Sequence, residues 1–426
     1  MKKITAALLA VLMVLSLSGC TETKNIFPVG EKKEAETVAT DSSELKAGFL
    51  FPSDENAPDT LSRVEGIRKM QKEAGLTDSQ ILIKTGVKKT ECEKKASDLA
   101  EAGCDIIFST DPEFEEDLME AARKYPDVAF CQEDGRKAEN SGISNFHNYY
   151  TRLYEAYYVS GVVAGMKLNS MLNTGNLSAS ECVIGFAATK KGPEAISCIN
   201  AFYLGVEKVC TQADMIVRYV DKTGNYDADG KCARQLIAAG AKLIGQYTST
   251  TAVAAVCAEN DIPLVGNNIN LISIAPKEAL TCALSDWSVY YTHAVHCIEK
   301  GKKIEKDWTG GYAQGANIIS QLNDQYVADG TVEKVAEIEK RLRKGKEKVF
   351  DTEKFTIDET SLETLAKEKK KYKKYKKHIK DGNFCESMKK SAPIFDVLID
   401  GITVSEKDYL AGTEKEDETS SELDEN

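Results

Sequence analysis

Polar loops that follow apolar runs hold the residues best placed to bind or react. Ser53-Asp54-Glu55-Asn56 follows the run Gly48-Phe49-Leu50-Phe51, and Asp111 follows one ending at Ser109-Thr110. The carboxylate of Asp54 and the amide of Asn56 can accept and donate hydrogen bonds, which suits a hydroxyl or a heterocycle edge. The same residues can form an Asx turn or cap the next helix, and Asp111, ahead of Pro112, carries both readings too. Thr248 and Ser249 follow Leu243-Ile244-Gly245 and offer hydroxyls to a pocket or to a turn. Trp287 presents a flat ring that can stack on a planar ligand or pack at an interface. His293 and His296 fall on one helical face with Glu299 beyond them, a spacing shared by surface histidines and metal ligands. No GxSxG, HExxH, GxxxxGK[ST] or strand-linked GxGxxG is present. Hydrolytic templates and phosphate cradles therefore lack a foothold, and no enzyme activity, cofactor or metal is expected.

Composition narrows the class further. Over 426 residues, 42% are hydrophobic and 29% charged, as in globular domains. A formal charge of −12 opposes nucleic-acid binding, which needs a basic surface. There are twelve cysteines but no CxxC, so they read mostly as buried free thiols rather than zinc or redox sites, in a host with little oxygen. Lys2 and Lys3 precede an apolar run from Ile4 to Leu17, too short to span a bilayer. Leu17-Ser18-Gly19-Cys20 resembles a bacterial lipoprotein cleavage box, which implies removal of residues 1–19 and a lipid on Cys20. Residues 20–45 then form a polar tether.

The candidate loops acquire a frame from an internal repeat. Gly48 and Gly185, Gly103 and Gly240, and Pro126 and Pro263 are each separated by 137 residues. Each landmark sits at an equivalent place in a strand–helix alternation, so two copies of one α/β lobe are expected. Apolar spacing places helices over 62–74, 90–101 and 113–124 in the first copy. Gly103 and Gly240 should end helices in the left-handed conformation. Ligands gather at the carboxyl ends of parallel strands, where the polar loops lie.

A resemblance now becomes specific. Asn148-Tyr149-Tyr150-Thr151-Arg152-Leu153-Tyr154-Glu155-Ala156 with Tyr158 to Met166, Ile199 to Gly205, Gln246-Tyr247-Thr248, Ala275-Pro276-Lys277 and Trp287 to Thr292 occur in order. Together they resemble the basic membrane protein group (Med-like, purine-nucleoside receptors) of substrate-binding lipoproteins. That resemblance implies a type I periplasmic-binding-protein fold: two Rossmann-like lobes with parallel sheets, a hinge, and a ligand cleft between them. It also implies a monomer that hands a small ligand to an ABC permease and its ATPase, held at the membrane by the lipid on Cys20. Sensing of a sugar or an anion without transport is the alternative. The implied lobes are 46–148 with about 268–300, and 149–267 with about 301–356.

Carried over by position, Asn148 and Tyr149 fall at the first crossing between lobes. Asn270 falls where the family often has a ribose-binding aspartate, and Asn268 beside it is a further candidate. Asp286-Trp287 matches an aromatic site segment, and Lys190 replaces a phenylalanine of the second lobe. The family's first-loop aromatic is missing near Ala57-Pro58-Asp59. Further on, Glu333 to Lys344 reads as an amphipathic helix and Lys348 to Thr352 as a late strand. Residues 357–411 read as a lysine-rich insertion, with Lys367 to Lys380 a solvated helical face, and a closing hairpin at Val397 to Val404. Residues 412–426 read as an acidic disordered tail.

Overall fold

The computed structural model describes residues 44–189, 191–220 and 223–406. The expectations for Cys20, for the tether up to residue 43, for Lys190 and for the tail beyond 406 lie outside these residues.

In the first half, Ala47–Leu50 (β1), Pro58–Ala74 (α1), Ile81–Lys84 (β2), Cys92–Glu101 (α2), Ile106–Ser109 (β3), Glu115–Lys124 (α3), Ala129–Glu133 (β4) and Phe146–Thr151 (β5) alternate. After Tyr154–Asn173 (α4), the pattern recurs as Val183–Ala188 (β6), Pro193–Glu207 (α5), Asp214–Tyr219 (β7), Tyr226–Ala238 (α6), Leu243–Tyr247 (β8), Ala252–Glu259 (α7) and Leu264–Asn267 (β9). Next come Ala279–Ser285 (β10), Ser288–Glu299 (α8), Asp307–Gly310 (β11), Asn317–Ile319 (β12) and Thr331–Arg343 (α9). One sheet runs β11-β5-β4-β3-β1-β2. The other runs β12-β10-β9-β8-β6-β7 and ends in a strand at Ile402–Val404. All pairings in the first sheet are parallel; in the second, β12 alone of these strands is antiparallel to its neighbour. The inner strands are buried along their whole length, which accounts for their continuous apolar runs.

The duplication reaches into the packing. A Cβ on Gly48 would meet Leu99 at 2.9 Å, Cys104 at 3.2 Å and Ile107 at 3.3 Å; on Gly185 it would meet Ile244 at 2.7 Å, Leu236 at 2.8 Å and Ala241 at 3.0 Å. These neighbours correspond one to one at the 137-residue offset, so both glycines solve the same contact between a first strand and the helix returning to its sheet. Gly103 and Gly240 have φ of 86° and 98°, the left-handed caps that launch β3 and β8. In the second lobe α4 and α5 touch backbone to backbone: a Cβ on Gly161 would sit 2.1 Å from the Phe202 oxygen, and one on Gly205 2.1 Å from that of Tyr158.

The strands redraw the expected lobe boundaries. Asn148 and Tyr149 are inside β5, and the first crossing comes later, at Arg152–Leu153. β10, expected in the first lobe, extends the second sheet beside β9; β11, expected in the second, pairs with β5 of the first. Among the described residues the chain thus passes between sheets after β5, after β10 and after β11. These crossings are tied together by a Thr151–Ser285 hydroxyl contact of 2.8 Å, and by Glu155, which accepts the Tyr312 amide at 2.6 Å and pairs with Arg152 at 2.8 Å.

The C-terminal region departs furthest from expectation. Lys348 to Thr352 forms turns and one isolated bridge, not a strand. The anticipated hairpin is replaced by Ile402–Val404 lying parallel to β7 at the sheet edge. Lys370–His378 is a nine-residue 3₁₀ helix. With three residues per turn, Tyr372, Tyr375 and His378 align on one buried face while the lysines between them remain exposed. The tyrosines are therefore packing, and the solvated face expected here is the lysine side of this helix.

Candidate functional site

The loops at the carboxyl ends of both sheets face a cleft of about 940 Å³. From the first lobe come the loops after β1, β3 and β4; from the second, those after β6, β7, β8 and β9; Trp287 enters from the β10–α8 crossing. This placement is what two similar open α/β sheets produce when they confront each other.

Seven carboxylates line the cleft (Asp54, Asp59, Asp111, Glu113, Glu133, Asp134 and Glu194) against two guanidiniums, Arg63 and Arg136. Arg63, on α1, reaches across to the end of β4 and donates to Glu133 at 2.6 and 3.1 Å, a fork-to-fork pair. Its Cζ also lies 4.5 Å above the Trp287 ring. Burial pulls the Arg63 pKa down, but Glu133 beside it holds it well above the usual arginine value. Burial pushes Glu133 up, with Arg63 opposing. Asp134, next along and at a left-handed φ of 53°, is pushed well up by burial and then by Glu194 and Glu133. Glu194 belongs to the first turn of α5, so a carboxylate of the second lobe raises the proton affinity of Glu133 and Asp134 in the first.

The second lobe's wall is built at the ends of β8 and β9. Gln246 donates to Asn267 at 2.8 Å, and Asn267 donates to the Thr248 carbonyl at 3.0 Å, fixing both strand ends. The Tyr247 hydroxyl donates to Glu194 at 2.5 Å. The Thr248 hydroxyl is buried and has no protein partner among the described residues. Tyr226, the first residue of α6, lines the cleft with 54% of its surface exposed, an aromatic face available to a ligand.

Of the residues singled out from sequence, the structure brings Asp54, Asn56, Asp111, Thr248, Ser249, Asn268 and Trp287 together around this cleft. Two also do the local work anticipated for them: Asp54 accepts the Asn56 amide and Asp111 the Glu113 amide, each at 2.8 Å. The others lie elsewhere. Tyr149 is stacked at 4.2 Å on Tyr290 inside the first lobe's core, with its hydroxyl 3.5 Å from Glu133. Asn148 is buried against Asp307, donating at 3.3 Å. Asn270 closes an exposed turn by accepting the Ile272 amide at 3.0 Å. Asp286 starts α8 by accepting from Ser288 and binds Lys69 at 3.3 Å in a separate narrow crevice. His293 and His296 go to different carboxylates, Glu305 at 2.7 Å and Glu299 at 3.6 Å. Among the described residues no cluster of His, Cys, Asp or Glu is arranged for a metal, and no helix is long and apolar enough to cross a membrane.

Arg63, Glu133, Asp134, Arg136, Glu194, Tyr226 and Tyr247 went unpredicted. Glu133-Asp134 ends β4 as Asn267-Asn268 ends β9, so equating the ends of these two strands would have pointed to Glu133 and Asp134. Arg63 gave no such signal, since a cation on an amphipathic helix reads as surface.

Comparison with known proteins bears on this geometry. The sequence model of the Bmp family, described as "ABC transporter substrate-binding protein PnrA-like", matches residues 55–378. A purine-binding protein of Brucella abortus is 26% identical over 270 residues, covering 62% of this chain and 72% of that protein. A putative ABC transporter glucose-binding protein of Haloferax volcanii is 25% identical over 248 residues, 56% of this chain and 59% of that one. Among solved structures, a solute-binding protein of an ABC transporter system from Aeropyrum pernix superposes with a TM-score of 0.60 at 14% identity, over 80% of this chain and 98% of that one.

Proposed function

The chain belongs to the Bmp family of PnrA-like ABC transporter substrate-binding proteins, with the type I periplasmic-binding-protein fold, and we propose that its cleft captures a purine nucleoside or related base for import. The observation that carries this reading is the cleft's lining: the exposed ring of Tyr226 from the second lobe, and Trp287 from one crossing, largely buried with Arg63 over its ring, set among carboxylates and the unpartnered Thr248 hydroxyl. Rings take the flat faces of a base, and carboxylates take its N–H groups and the ribose hydroxyls. The similarity to a purine-binding protein supports the same reading. In the same proposal Cys20 carries the lipid that holds a monomer on the extracytoplasmic face of the cell membrane, where it hands the ligand to a permease driven by its ATPase.

Closure follows from the charges. Bringing Glu194 toward Glu133 and Asp134 is unfavourable in an empty cleft. A ligand that donates to these groups removes that penalty only when the lobes are together, so binding favours the closed state. Anions lose ground on this lining. A sugar is the second reading, since hydroxyls also satisfy carboxylates and one relative is a putative glucose-binding protein. Thermal-shift measurements with nucleosides, bases, sugars and anions decide between them, because a ligand that binds the folded state alone must raise the melting temperature. Stabilisation by adenosine, guanosine or inosine is expected. Stabilisation by sugars alone would move the assignment to the second reading.

A further inference from the structure

The family match stops at residue 378, yet the chain beyond it reaches the cleft, which Pro393 lines. We infer that residues 386–395 form a strap that completes the ligand cleft, positions Arg136 in it, and latches the two lobes. Its root is in the second lobe: Phe395 is buried at 4.8 Å from the Phe384 ring and 5.1 Å from that of Phe350. Asn200 of α5 fixes the chain just beyond by donating to the Val397 carbonyl at 2.9 Å.

Its contacts with the first lobe are polar. Ser391 donates to Asp307 of β11 through its hydroxyl at 2.6 Å and its amide at 3.2 Å. Lys390 donates to the Arg136 carbonyl at 2.7 Å, and the Arg136 guanidinium donates to the Pro393 carbonyl at 2.5 Å. A cation of the cleft is thus aimed by the strap. Between root and tip lies Glu386, fully buried and without a cation: it accepts from Tyr150 of β5 at 2.8 Å, from Ser197 of α5 at 2.6 Å, and from the amides of Ile394 and Phe395 at 3.0 and 3.1 Å. One carboxylate therefore joins a strand of the first sheet, a helix of the second lobe and the strap. The asymmetry defines the latch: apolar packing keeps the root in place, while the hydrogen bonds at the tip can be exchanged for water as the first lobe swings away.

The inference rests on the two-lobed receptor fold and not on which ligand fills the cleft, so its test is made without ligand. Small-angle scattering of the full chain is compared for wild type and for K390A/S391A, which cuts tip bonds and spares the root. Losing these bonds should shift the open-to-closed ratio roughly tenfold, seen as a larger radius of gyration with little change in melting temperature. F395A serves as the second variant: loosening the root should lower the melting temperature and expand the particle as well. An unchanged radius of gyration in both variants overturns the latch, as does a K390A/S391A variant that melts lower without expanding, since that is what a merely structural role gives.

Discussion

Replacing Arg63 by Ala removes one half of a pair that water barely reaches: the Arg63 and Glu133 side chains are 12% and 6% exposed. The loss is not that of a surface ion pair. Glu133 would remain buried at the end of β4 with its partner gone, a situation that costs about 3–5 kcal/mol. The cost has a characteristic pH dependence. Burial already places the Glu133 pKa above its unfolded value, and Arg63 is the main group opposing the shift. Without Arg63 it rises further. A carboxyl whose folded pKa is raised contributes stability that is fully present below the unfolded pKa and is lost as pH rises through the folded one. The deficit of R63A should therefore be small near pH 5 and grow toward pH 8, by up to about 1.4 kcal/mol per pH unit while the carboxyl titrates. Urea unfolding at both pH values measures it. The partner variant E133Q and the double R63A/E133Q complete the cycle, and the double should be less destabilised than R63A alone at pH 8, because no buried charge is left behind. Equal deficits at both pH values, or single effects that simply add, would refute the view of this pair as a desolvated unit.

Other consequences can be checked with the same protein. W287A should weaken purine binding roughly tenfold by isothermal calorimetry, the low end for a lost stacking face; unchanged affinity would remove Trp287 from the site. D134N keeps the shape and the tolerance for positive φ but cannot ionise. Because burial raises the folded Asp134 pKa, the wild type should lose stability relative to D134N as pH rises, measured by melting temperature from pH 5 to 8. G161A forces a Cβ to 2.1 Å from a backbone oxygen that cannot yield without separating α4 from α5, so unfolding free energy should drop by at least about 1–3 kcal/mol. Finally, burial pushes the Cys131 thiol up to about 12, so at pH 8 an alkylating reagent should modify it slowly in the folded protein and rapidly in denaturant, by peptide mass spectrometry.

The fold was legible because duplication writes each constraint twice. Gly48 and Gly185 alone could be coincidence; an offset shared with Gly103–Gly240 and with the side chains packed on Gly48 and Gly185 could not, and it placed the loops that meet at the cleft. Pro126 and Pro263 are not equivalent, since Phe130 and Leu264 hold matching places in their sheets. Lobe membership of β10 and β11 was not legible in the same way. The sheet each joins is decided by which open edge it finds after a crossing, a tertiary choice that local apolarity does not encode. Tyr149 illustrates a similar limit at the level of one residue. All six residues of β5 are buried and none lines the cleft, so the polar Asn148 beside Tyr149 marks a strand with buried hydrogen-bond partners and not a wet rim. The C-terminal lysines show period against composition: an aromatic every third residue between lysines is a 3₁₀ pattern, and a reading based on 3.6 residues per turn sees only charge.

The acidity of the cleft sets a condition that any ligand must meet. Seven carboxylates sit around two arginines, and Arg63 is already committed to Glu133. Arg136 is committed too, to the strap through Pro393. A phosphate or carboxylate ligand would thus have to break a buried pair or the latch before finding a cation, and it would add repulsion from Asp134 and Glu194. A ligand rich in N–H and O–H groups faces neither obstacle. It supplies the donors that the two lobes' carboxylates lack and allows the cleft to close without first being neutralised. If this is right, nucleoside monophosphates should bind far more weakly than the corresponding nucleosides, and the gap should narrow in D134N, where one repelling carboxylate is gone. Equal affinity for nucleoside and monophosphate by calorimetry would mean that the carboxylates do not face the ligand, and the charge argument for closure would fall with it.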